Sequence, residues 1–240
     1  MQEILGKLIA YYKANFFTEP ILVVAFISCC IIGLRYHRRE RQRIFFLGYS
    51  FMGVLLAFFV ATVDYTHLLP VRGKVMAEEI LNTIFELAEF TCFHYFFKEC
   101  LQNKKIHNIS KAFLTSLFII SIFFFTFLCF QVYTNDKIKE HSFFINVIEL
   151  FFLAFLCLAY FYELFTTTPK MNLVERPSFL ITTSTFFYSV LLIPFFIIAR
   201  DLWKQERPLF SVLFACHYVL LSIVLLTVGK AFLRKRPITA

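Results

Sequence analysis

The sequence lacks the short motifs that mark most soluble enzymes. It has no GxSxG elbow, no HExxH, no P-loop and no dinucleotide fingerprint. No CxxC pair or Cys/His ligand spacing occurs either. The seven cysteines (Cys29, Cys30, Cys92, Cys100, Cys129, Cys157 and Cys216) are scattered, mostly within apolar stretches. There a thiol serves as a small buried hydrophobe. A three-histidine zinc centre needs its ligands at one depth. His67 falls at the outer edge of its apolar stretch, His94 near the inner edge and His217 in the outer half. No metal and no cofactor are therefore expected. No cleavable leader is expected, because Glu3, Lys7 and Lys13 break up residues 1–17 and no small-residue cleavage site follows. Polar segments long enough for a soluble domain are missing, and so is any internal repeat.

What the chain has is apolar surface. Of its 240 residues 59% are hydrophobic, 35 are Phe, and the mean hydropathy is +0.71. Soluble domains are about 45–50% apolar, so one water-exposed fold cannot hide this much. The net charge of +8 would fit nucleic acid. Here, however, the basic residues lie in short loops between apolar stretches, where membrane proteins carry their topology signal. We expect a lipid bilayer as the partner and no nucleic acid.

A spanning helix needs about 20 apolar residues. Seven stretches approach this: Pro20–Tyr36, Ile44–Asp64, Met76–Phe97, Ala112–Tyr133, Ser142–Phe165, Ser178–Ala199 and Pro208–Leu233. The expected fold is an all-α bundle of seven transmembrane helices over residues 18–234. An amphipathic interfacial segment (residues 1–17) precedes it and a short tail (residues 235–240) follows. Loop Lys and Arg divide fifteen to nine between the two sides, led by RYHRRERQR at 35–43. The richer side should be cytoplasmic. That places the N-terminus outside and the C-terminus in the cytoplasm, in a multi-pass inner (cytoplasmic) membrane protein. Lys230, followed by Arg234, Lys235 and Arg236, reads as a side chain snorkelling to the interface.

Ionisable residues inside a span are costly and mark function or packing. In the third stretch Glu79, Asn82, Glu86 and Glu89 recur at helical spacing. Counting 1.5 Å per residue from Met76 puts Glu86 about 15 Å in, near the bilayer middle. The fifth stretch adds Asn146 and Glu149, and the seventh His217 and Tyr218. Asp64 and His67 mark the outer edge of the second. Two readings stay open for these groups: hydrogen-bonded glue between helices, or a ligand or proton site opening outward. The hydroxyls Thr182, Thr183, Ser184, Thr185 and Ser189 read as close-packing residues or as a polar pathway. Pro194 should kink the sixth helix.

The stretches TIFELAEFTCFHYFFKECLQNKK, INVIELFFLAFLCLAYFYELF and RPSFLITTSTFFYSVLLIPFF resemble a group of small, uncharacterised bacterial seven-helix membrane proteins. Their matching positions here are Glu86 or Glu89, Glu149 and Pro177. Similar membrane modules stand in front of some sensor histidine kinases, so the resemblance implies signal input. With no kinase or output domain in this chain, it implies a separate signalling protein as partner. The leading expectation is a non-enzymatic sensory or ligand-binding module with an outward-facing, acid-lined cavity. A small proton-coupled transporter and an intramembrane lipid-modifying enzyme are the alternatives.

Overall fold

The computed structural model describes residues 19–35, 41–66, 71–133, 142–167 and 176–233. The expected interfacial segment, the C-terminal tail and His67 lie outside the described residues, as does the side chain of Asp64. Among the described residues all regular structure is helical. Seven helices follow in order: α1 Glu19–Arg35, α2 Arg41–Thr66, α3 Val71–Cys100, α4 Lys104–Tyr133, α5 Ser142–Thr167, α6 Pro177–Gln205 and α7 Arg207–Leu233.

Each apolar stretch became one helix, extended into its polar flanks. The extension is largest in α4, which begins at Lys104, and in α6, which runs on to Gln205. Only Glu206 separates α6 from α7, and its N–H donates to the Leu202 carbonyl at 2.8 Å. At the start of α6, Pro177 needs no N–H partner, and the extended Arg176 (φ −81°, ψ 121°) suits a residue before proline. The helix continues without a break through Pro194.

Four helices are long and apolar enough to cross a membrane, over Lys104–Gln131, Phe144–Thr166, Pro177–Ala199 and Pro208–Ala231. Two apolar stretches are shorter, Ile21–Leu34 in α1 and Phe46–Phe59 in α2. The third helix falls short because Glu86, Glu89 and His94 interrupt its apolar run. Of the seven stretches expected to span, all are helical and four are of spanning length and apolarity. Large side chains such as Phe123 (77% exposed), Phe144, Ile122 and Val212 point out of the bundle. Water would penalise that exterior, whereas lipid matches it. The chain is a helical membrane protein.

Packing runs in a ring. Helix α1 meets α2, α2 meets α3, α3 meets α5, α5 meets α6, α6 meets α7, and α7 returns to α1. Helix α4 stands outside the ring against α3. It is held by the Phe113 ring, which stacks on Phe152 of α5 (3.8 Å, 2° between planes) and tilts against Phe90 of α3. Between α1 and α2 the absence of a side chain at Gly53 admits the Phe26 ring, which a Cβ there would strike. Phe26 is buried and meets Tyr49 and Phe85 edge-on.

Helices α3 and α5 run parallel and in register. Asn146 Nδ2 donates to Glu86 Oε1 at 2.7 Å. About 25 Å further along, by helical rise, the Glu163 carboxylate accepts the backbone N–H of Gln102 (2.8 Å) and Asn103 (3.0 Å). Asn103 Oδ1 then accepts the Lys105 N–H at 2.9 Å, capping α4. Helix α6 returns antiparallel to α5, pinned where the Tyr160 and Ser178 hydroxyls meet at 2.9 Å.

A candidate functional site of buried carboxyls

The inner face of α3 is acidic because Glu79, Glu86 and Glu89 all turn into the ring, each at most 6% exposed. Glu149 of α5 joins them at 4%. Glu86 lies within electrostatic reach of Glu79 and Glu89, and Glu149 within reach of Glu89 and Glu86. Two of them are held by a donor. Asn146 donates to Glu86, and the Tyr49 hydroxyl of α2 donates to Glu89 Oε2 at 2.6 Å. Yet Glu86 Oε2 and Glu149 Oε1 are buried with no hydrogen-bond partner. Among the described residues no Lys or Arg stands against Glu86, Glu89 or Glu149.

Tyr188 of α6 closes another side. Its hydroxyl feels the charge of Glu89, Glu149 and Glu86, and it meets His217 Nε2 of α7 at 3.3 Å. His217 packs edge-on to Phe196 and Phe214, stacks with Tyr218, and leaves Nδ1 buried and unpartnered. Five helices of the ring therefore contribute to one polar centre.

Register orders the carboxyls along the bundle axis. Counting back from the Tyr160–Ser178 pair, Glu149 lies about 16 Å up α5 and Tyr188 about 15 Å up α6, hence at one level. Tyr188 is midway along the apolar run Pro177–Ala199. Glu149, with Glu89 beside it, is therefore level with the middle of that run. Glu86, level with Asn146, is about 4.5 Å shallower. Helix α3 begins at Val71, five residues before the apolar stretch read from the sequence.

Of the residues singled out in the sequence, Glu79, Glu86, Glu89, Asn146, Glu149 and His217 come together. Asn82 is exposed, and buried Thr83 takes the inward place, its hydroxyl returned to the Glu79 carbonyl at 2.8 Å. Tyr218 stacks on His217. Tyr49 and Tyr188 were missed, since one tyrosine in an aromatic-rich helix carries no signal of its own. Their partners became visible only when the helices were assembled. His94 lies elsewhere, toward the C-terminal end of α3, with Nδ1 2.7 Å from Ser110 Oγ in a shallow depression also lined by Lys98 and His107. Among the described residues no group of His, Cys, Asp and Glu is arranged to hold a metal ion.

An all-helical ring around buried carboxyls defines a membrane protein with an interior acid centre. No protein-family model, curated protein or solved structure matches the chain.

Proposed function

We propose that the chain is a seven-span membrane protein whose interior acid centre receives a small cation from the outer side, as a non-enzymatic sensory or ligand-binding module. A separate signalling protein would pass the signal on. One observation carries this reading: Glu86 Oε2 and Glu149 Oε1 are buried and unpartnered, with no Lys or Arg opposing them among the described residues. Burying a carboxylate without a counter-charge is expensive. A bound cation supplies what the centre lacks, and Asn146 and Tyr49 hold the carboxyls in place for it.

Binding to the native state alone raises stability by about 2.7 kcal/mol at a ligand concentration a hundredfold above Kd. Thermal unfolding in detergent should thus rise selectively when sodium, potassium or tetramethylammonium chloride is compared with the other two at equal ionic strength. Glu149→Gln should remove the selective rise. Equal responses to all three cations, or an unchanged response in Glu149→Gln, would refute the proposal.

A further inference from the structure

Helix α6 carries a second polar feature. Ser178, Thr182, Thr185 and Ser189 follow a 4-3-4 spacing, which places them on one helix face. All four are buried, the last three at 0% exposure. Ser178 is engaged with Tyr160, and Ser189 donates to the Thr185 carbonyl at 2.9 Å. The Thr182 and Thr185 hydroxyls have no partner. A helix interior usually satisfies such hydroxyls by bonding back one turn, as Ser189, Thr91 and Ser222 do here. Threonines present only for close packing would be expected to do the same.

The stripe also has two polar ends. One is the acid centre, reached through Tyr188, the neighbour of Ser189. The other is the Tyr160–Ser178 pair, three residues along α5 from Glu163, whose carboxylate holds the α3–α4 turn. Successive hydroxyls are about 4.5–6 Å apart along the helix axis. One water between each pair would find two hydroxyl partners, the minimum for a stable buried water. A hydroxyl can accept a proton from one side while donating its own to the other, so no charge need rest on the stripe.

We propose that this stripe is a proton path linking the acid centre to the α3–α4 side of the bundle. The inference rests on the acid centre but not on its binding a cation. A proton arriving on Glu149 would leave through Ser189, Thr185, Thr182 and Ser178 by way of intervening waters, restoring the carboxylate.

The test uses the full chain in phospholipid vesicles containing a trapped pH dye. A potassium diffusion potential drives protons inward. Wild-type vesicles should acidify at least about tenfold faster than empty ones. Thr182→Val with Thr185→Val keeps side-chain shape and should return the rate to the empty-vesicle level. Thr182→Ser with Thr185→Ser keeps the hydroxyls and should conduct. Thermal unfolding checks that all three are folded, and the single valine variants stand in should the double one not fold. Wild-type vesicles no faster than empty ones would overturn the path, as would valine variants that conduct like wild type. The cation-dependent stability shift is read separately. A valine double variant that keeps this shift but loses flux isolates the path from the binding site.

Discussion

At the scale of the residue, the acid centre turns on how each carboxyl oxygen is occupied. Glu86 has one oxygen on Asn146 and one without a partner. Glu86→Gln keeps a hydrogen-bonding side chain of the same shape but not the charge. If the group only joins helices, stability and cation response should both survive. We expect instead a folded protein with the cation-dependent shift lost, read by thermal unfolding with and without the salt. Tyr49→Phe makes a different point, because it leaves Glu89 Oε2 buried without its donor. A buried group losing its partner costs about 1–3 kcal/mol, so chemical denaturation in detergent should show a loss of that size. Helical spacing showed that Glu79, Glu86 and Glu89 share a face, and Asn146 with Glu149 another, which accounts for five of the eight chosen residues, and His217 joins them through Tyr188. It failed for Asn82, only one position from the buried Thr83. A step of one residue turns a helix by about 100°, and spacing alone does not say where the buried arc ends.

At the scale of the element, the helices were legible because each is an apolar run bounded by charge. Their lengths were less so. Lys104 to Lys111 read as loop but lie in α4, where Asn103 and Glu163 supply the capping that lets a charged segment wind. Glu163 is far from α4 in sequence, so this cap was not visible before the fold was known. Gly53 makes an element-scale prediction. Its missing Cβ lets α1 and α2 meet at the Phe26 ring. Gly53→Ala must push that ring toward Tyr49 and Phe85, and overpacking costs about 1–3 kcal/mol. Because Tyr49 also holds Glu89, the cation-dependent shift should weaken along with stability. Gly48, with open space where a Cβ would go, is the control, and Gly48→Ala should leave both readouts unchanged.

At the scale of the whole molecule, loop charge sets an orientation that reporters can check. Fusions at Ala240 and within residues 35–43 should both report cytoplasm, and an external signal from either would break the seven-span arrangement. The order of packing was not legible at all. Nothing local says that α4 stands outside a ring of six, or that the ring is closed by the contact of α1 with α7. That closure has a consequence for biosynthesis. The ribosome delivers α1 first and α7 last, so the first helix waits in the bilayer for its final neighbour. During that interval the acid centre has an open flank, and carboxyls bound for the interior face lipid or translocation machinery. A chain halted at Gln205 is frozen in this state, lacking His217 and the wall that α7 provides. In a pulse–chase it should be cleared several times faster than the full chain. Replacing Glu86, Glu89 and Glu149 with Gln in the halted chain should prolong its life, because those carboxyls are what the unfinished ring leaves exposed.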